Sequence, residues 1–273
     1  MLALERVSKT FHSGADRVQA IRELDFFLAE GDFLTIIGSN GAGKSTLLNL
    51  IAGTVLPTTG RISLSGADVT TVPAHRRARS IGRIVQDPLA GTAPEMTVAE
   101  NLALAMKRQG RGMRLALPRR LQRRFQDQLA ALDIGLESRL NCPVSLLSGG
   151  ERQALAVLMA TLVPPKLLLL DEHTAALDPS NAAMIVQLTE SFVDRAGLAT
   201  LMVTHNMEQA IAAGNRLIMM HKGEIIHELC GHEKQYATVE DLVELFSQRH
   251  VADDELLLGR TPETAPVAMK LPL

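Results

Sequence analysis

Apolar positions along this chain fall into short runs whose period switches between those of strand and helix. Leu2 to Val7 alternates apolar and polar, the period of a half-buried strand, and Val18 to Leu28 holds one or two more. Lys9 to Gly14, between them, reads as a turn-rich loop carrying a single aromatic, Phe11. Asp32 to Ile37 has the length and apolar content of a buried strand, while Thr46 to Ala52 has helical spacing and stops at Gly53. Pro57 to Gly60 predicts a turn, Arg61 to Leu64 a short strand closed by Ser65 and Gly66, and Ile81 to Val85 a strand that delivers Gln86 at its C-terminal end. Thr97 and Glu100 have capping-box spacing, so a helix is expected from there to about Gln109.

Ser148 is a natural N-cap for a strongly helical stretch, Ala154 to Leu162, that ends at Pro164 and Pro165. Leu167 to Leu170 is a run of leucines, suited to a strand buried on both faces of a parallel sheet, and it ends in Asp171 and Glu172. Leu198 to Thr204 is a similar strand that delivers His205. Arg216 to Met220, a turn over His221 to Glu224, and Ile225 to Leu229 predict a hairpin. Thr238 to Asp241 caps a last helix reaching about Gln248, and residues 251–273, with three prolines and no period, predict a loose tail. No internal repeat or low-complexity tract interrupts this order.

Composition narrows the possibilities. A length of 273 residues suits one large or two small domains, and 46% hydrophobic with 21% charged residues is ordinary for a soluble globular chain. The net charge of −2 argues against nucleic acid as the main partner. No apolar run approaches the ~18 residues of a membrane span. The N-terminus carries Glu5 and Arg6 where a signal peptide needs its apolar core, so a cytoplasmic protein is expected. Cys142 and Cys230 lack metal-type spacing and suit a reducing compartment. The one charge-dense stretch holds Lys107, Arg108, Arg111, Arg114, Arg119, Arg120, Arg123 and Arg124; it is either a solvated helix face or a contact for acidic headgroups or a partner.

Chemistry concentrates at a few points. Gly38, Ser39, Asn40, Gly41, Ala42, Gly43, Lys44, Ser45 and Thr46 fit the phosphate-binding loop pattern, with the strand before it and helix after it that the pattern requires. The glycines let successive N–H groups turn inward, and the helix N-terminus adds positive potential at the same place. Lys44 then reaches β- and γ-phosphates, and the Ser45 hydroxyl suits Mg²⁺. A second anion site is expected where Ser148, Gly149 and Gly150 open a helix. Asp171 reads as a Mg²⁺ holder through water and Glu172 as the group that polarises an attacking water. Gln86 and His205 stand at strand ends, where ligands of open α/β sheets bind. Phe11 is either a loop residue packed on the core or a stacking face for a nucleotide base.

Taken together, these residues resemble the ATP-binding cassette ATPases, the motor subunits of ABC transporters. Gly38–Thr46 matches Walker A, Gln86 the Q-loop, Leu147–Gln153 the signature, and Leu167–Asp171 with Glu172 Walker B; Ala176–Asp178 matches the D-loop, and His205 the switch histidine. Phe11 falls where that family stacks adenine. The likeness covers roughly residues 1–230. It implies an α/β P-loop NTPase: a RecA-like core with an antiparallel β-subdomain (1–86 and 164–230), an inserted helical subdomain (87–163), a C-terminal helix (231–250) and a flexible tail (251–273).

The resemblance further implies ATP and Mg²⁺ as cofactors, with Ser45, Gln86 and Asp171 at the metal and Glu172 as general base. Ser148, Gly149, Gly150 and Asp178 would serve nucleotide held by a second copy in a head-to-tail homodimer. The implied partners are an integral membrane permease, docking near Leu89 and Met96, and an extracytoplasmic substrate-binding protein, with the ATPase peripheral on the cytoplasmic face of the inner membrane. His173 departs from the family's usual proline after Walker B. The string Asp171 to Pro179 is similar to that of bacterial import ATPases paired with a lipoprotein and a branched-chain-amino-acid or ribose-type permease, some linked to aromatic amino acid uptake. An export motor and a soluble, non-transport ABC ATPase stand as alternatives.

Overall fold

The computed structural model describes residues 1–14, 16–87, 89–106 and 118–257. Two sheets organise the chain. The first is a four-stranded antiparallel sheet in the order β2 (Asp16–Leu28), β1 (Leu2–Ser13), β4 (Thr59–Leu64), β5 (Ala67–Asp68). The second has six strands in the order β10 (Glu224–Cys230), β9 (Arg216–His221), β3 (Phe33–Gly38), β8 (Ala199–Val203), β7 (Leu167–Asp171), β6 (Ile81–Ile84). Its β9, β3, β8, β7 and β6 run parallel, and only β10 turns back as an antiparallel edge.

The leucine run fixes the depth of β7. Leu167 to Leu170 are all completely buried, and alternate residues serve opposite cores. Leu167 and Leu169 pack with α1 (Lys44–Ala52) and the antiparallel sheet, while Leu168 and Leu170 pack with the helical segment inserted between β6 and β7. Two-sided burial is what distinguishes such a strand from the half-exposed arms of a hairpin. After α2 (Ala74–Arg77), the insertion carries α3 (Val98–Met106), α4 (Arg119–Ala130) and α5 (Gly149–Thr161). Phe125 and Leu129 of α4, Val98 and Leu102 of α3, and Leu155 and Leu158 of α5 share that core. The remaining helices are α6 (Pro179–Ala196), α7 (Met207–Ala212), α8 (Gly231–Tyr236) and α9 (Val239–Leu257).

Three expectations need correction. Lys9 to Ser13 is strand, because it pairs with Asp16 to Ile21 as one arm of a long hairpin whose turn is confined to the residues about Gly14. Phe11 therefore sits on a strand, opposite Val18. The C-terminal helix is two helices, α8 and α9, parted at Ala237 and Thr238, where Thr238 and Asp241 bond each other's backbone N–H groups. Nor does a loose tail begin at Val251: α9 continues to Leu257, through a proline-free stretch of helix-compatible residues. Residues 258–273, and the expected end of α3 at Gln109, lie outside the described residues. No helix among the described residues is long and apolar enough to cross a membrane.

Candidate functional site

Parallel strands put their C-terminal ends on one edge of the sheet, and that edge gathers the chemistry. The phosphate loop leaves β3, Asp171 ends β7 with Glu172 after it, and His205 follows β8. Backbone contacts hold the loop from the side: Gly223 N–H donates to the Ala42 carbonyl, and Arg22 N–H donates to that of Gly223. The β9–β10 turn and β2 thus brace a loop that has no side-chain cap at the start of α1.

Two of its glycines are required by space. A Cβ on Gly38 would lie 2.4 Å from the Met220 carbonyl oxygen. Gly43 has φ +100°, and a Cβ there would lie 2.5 Å from the Ala20 oxygen. Gly43→Ala should therefore cost at least about 1–3 kcal/mol of strain. Denaturant unfolding checks this, and an unchanged midpoint would show that the loop accommodates a methyl group.

Lys44 is buried, and its Nζ donates to the carbonyls of Gly38 at 2.7 Å and Ser39 at 3.1 Å. Burial pushes its pKa below that of a free lysine, while the Glu172 and Asp171 carboxylates push in the opposite direction. A cavity of about 490 Å³ opens over the loop, lined by Asn40 to Thr46, Glu172 and Lys222 together with Phe11, Val18, Gln19, Ala20 and Arg22 of the β1–β2 hairpin. That volume falls in the range of small-molecule sites. Phe11 is exposed and carries the Lys9 ammonium 5.0 Å from its ring centre.

Glu172 has φ +46°, a left-handed conformation costly for a residue with a Cβ. Its N–H donates to the Val203 carbonyl, and its Oε2 lies 3.7 Å from Nδ1 of His205. A hydrogen-bonded chain backs this pair: Thr204 Oγ1 donates to Gln209 Oε1 at 2.6 Å, and Gln209 Nε2 donates to Thr174 Oγ1 at 3.1 Å. The loops after β7 and β8 are thereby tied together. His173, in between, is buried; desolvation lowers its pKa to about 4, and Nε2 has no partner among the described residues. It is a neutral imidazole at physiological pH.

Asp171 is bound by a residue that sequence reasoning passed over. Arg83 donates through one guanidinium nitrogen to Asp171 Oδ2 at 3.0 Å and through the other to Asn49 Oδ1 at 2.8 Å. Arg83 stands in β6, the edge strand, between Gly82 and Ile84, and only the pairing of β6 with β7 brings it to Asp171. Lys222, Val18 and Arg22 were also missed, because only the fold brings them to the cavity. Gln86 lies two residues beyond β6, is exposed, and does not line this cavity. Ser45, Gln86 and Asp171 offer hydroxyl, amide and carboxylate oxygen, a donor set that fits Mg²⁺, which takes one or two carboxylates and leaves room for phosphate oxygens.

Ser148, Gly149 and Gly150 stand apart from the Lys44 cavity. Ser148 caps α5 in a reciprocal box with Glu151, and Arg139 holds Glu151 through contacts of 2.8 and 3.0 Å. Gly150 packs against Asn181, whose side chain donates to Asp178 at 2.6 Å; Asp178 in turn caps α6. Gly150, Asn181 and Asp178 thus form one packed unit beside the Ser148 cap.

Comparison with known proteins gives this arrangement a family. A family pattern described as ABC transporter matches residues 21–175. A tyrosine transport ATP-binding protein of Clostridioides difficile (strain R20291) is 41% identical over 90% of this chain and 98% of its own length. A spermidine/putrescine import ATP-binding protein of Thermobifida fusca (strain YX) is 34% identical over 82% of this chain, which spans 56% of that relative. A dimeric ATP-binding cassette in a post-hydrolysis state, bound to ADP and Pi, superposes with a TM-score of 0.73 at 28% identity, covering 84% of this chain and 98% of that one. By sequence and by fold, the chain belongs to the ABC transporter ATPases and is an ATP-binding, ATP-hydrolysing cassette.

Proposed function

We propose that this cassette powers a separate membrane permease that imports a small solute, an aromatic amino acid such as tyrosine being the first candidate. The observation that carries the solute class is the 41% identity, over almost its whole length, to a relative named for tyrosine transport. Uptake of labelled tyrosine by cells with and without the gene tests it. Loss of uptake is expected; unchanged uptake of tyrosine, with loss for another solute, would replace the candidate.

In this reading the loop from Gly38 to Thr46 cradles the triphosphate, Lys44 turns from its loop carbonyls to the β- and γ-phosphates, and Phe11 stacks on adenine. Ser45, Asp171 and Gln86 would hold Mg²⁺, which would supply positive charge against the triphosphate. Phosphoryl transfer depends on positioning and charge more than on covalent help. Glu172 accepts the proton of the water that attacks the γ-phosphorus, and His205 holds the γ-phosphate. The separation of Ser148 from the Lys44 cavity supports a head-to-tail homodimer, in which Ser148, Gly149, Gly150 and Asp178 of one copy complete the nucleotide site of the other.

The same reading divides the chain into a core with its β-subdomain (1–86 and 164–230), a helical subdomain (87–163) and a C-terminal appendage from 231. It also places the protein peripherally on the cytoplasmic face of the inner membrane, with a substrate-binding protein on the far side. For the permease, a groove of about 230 Å³ is lined by Ile84 of β6, Val85, Gly91, Leu104 and Ala105 of α3, and Met159 of α5. Leu89 and Leu104 are exposed beside it, whereas Met96 is half-buried and its carbonyl accepts from Val144 N–H. The double variant Leu89→Asp, Leu104→Asp should keep the ATPase of the isolated protein and lose co-purification with the permease. Wild-type yield of permease would refute this docking site.

A further inference from the structure

The helical subdomain carries a charge pattern that ATP hydrolysis does not use. α4 places Arg119, Arg120, Arg123 and Arg124 on its exposed side and Phe125 and Leu129 in the core. Their spacing, i, i+1, i+4, i+5, makes one continuous face. The four, with Asp127, line a shallow cavity of about 540 Å³. None of them forms an ion pair with another described residue, whereas Arg61, Arg83, Arg139 and Arg216 each bind a carboxylate.

The arrangement is also unfavourable for the isolated helix. α4 has no acid in its first turn and no side-chain cap, so its arginines crowd the end where the helix dipole is already positive. A chain of net charge −2 keeps four cations where they repel each other and the dipole. A dense array of planar guanidinium groups, four against the single carboxylate of Asp127 in the same cavity lining, matches a surface of phosphate anions, to which arginine donates in bidentate fashion. α4 packs beside α3, whose Leu104 and Ala105 line the groove proposed for the permease, so patch and groove belong to neighbouring helices of one insertion.

We infer that this face of α4 binds anionic phospholipid headgroups of the membrane that holds the permease. The inference rests on the reading that the subunit works at a membrane. It adds a lipid contact that orients the helical subdomain independently of the protein–protein groove.

The test is flotation of the full chain with vesicles of phosphatidylglycerol and phosphatidylcholine, and with phosphatidylcholine alone. The wild type should float with the anionic vesicles at low salt only, since surface charges are screened at high salt. Each arginine near such a surface contributes about a fivefold gain in binding, so the variant Arg119→Gln, Arg120→Gln, Arg123→Gln, Arg124→Gln should bind at least ~100-fold more weakly. A matched variant with Arg17, Arg76, Arg79 and Arg195 changed to Gln should bind as the wild type does, which separates the patch from overall charge. ATPase activity and permease co-purification, measured in parallel, should be unchanged in the α4 variant. Equal flotation of the α4 variant and wild type would overturn the inference. So would a wild type that fails to float while the α4 variant loses the permease, because the patch would then serve an acidic protein surface. A failure of the transport reading itself would appear separately, as a wild type that never recovers a permease.

Discussion

Glu172→Gln should leave ATP binding intact or tighter while slowing hydrolysis by at least ~10²-fold, the low end for loss of a positioned base. The side chain keeps its size and one hydrogen-bonding oxygen, so the loop after β7 and its link to Val203 should survive. What disappears is a carboxylate that lines the Lys44 cavity, where the proposed mechanism places the γ-phosphate and the attacking water. Its negative charge also opposes a bound triphosphate, and neutralising it removes that repulsion. The strained φ of +46° supports a functional reason for this residue, since strain of this kind persists where the surrounding structure enforces it. With hydrolysis blocked, ATP should hold two copies together, visible as a dimer by size. Single-turnover hydrolysis and an ATP titration decide the matter. A variant that hydrolyses at the wild-type rate would move the base to another residue, His205 being the next group in reach.

Legibility from sequence followed how local each physical cause is. The phosphate loop was readable because glycines, lysine and serine at fixed spacing are needed whatever the rest of the chain does, and the close approach of Met220 to Gly38 explains one of them. The helix caps at Thr97, Ser148 and Thr238 were readable for the same reason, each being closed within four residues. Leu167 to Leu170 declared a two-faced strand through composition alone. Phe11 was misplaced because its strand is stabilised by pairing with Asp16 to Ile21, across a hairpin whose polar sequence carries weak local preference. Arg83 and Asp171, 88 positions apart in sequence, meet only through the parallel pairing of β6 with β7, which no local pattern encodes. The split between Lys44 and Ser148 was legible only as an implication of family resemblance; in the fold it follows from α5 belonging to the insertion and α1 to the core.

That split gives the other large effect. Lys44→Ala should remove most ATP binding, because the loop loses the one buried ammonium that can face the β- and γ-phosphates. Ser148→Arg should spare binding by the single copy and abolish hydrolysis, because in the proposed dimer Ser148 serves the partner's nucleotide. Loss of the α5 cap costs roughly 1 kcal/mol, so thermal unfolding must first confirm that the Ser148 variant is folded. Each variant alone has no complete site. In a mixed pair, however, the copy bearing Ser148→Arg supplies an intact Lys44 loop, and the copy bearing Lys44→Ala supplies an intact Ser148 to close it. The other site of the pair carries both changes and stays dead. Built on Glu172→Gln, so that a closed site cannot turn over, the two variants should each remain monomeric with ATP and form a dimer only when mixed. Mixing without any dimer, from variants shown to be folded, would mean that Ser148 does not complete a site on a second copy, and the head-to-tail arrangement would have to be abandoned.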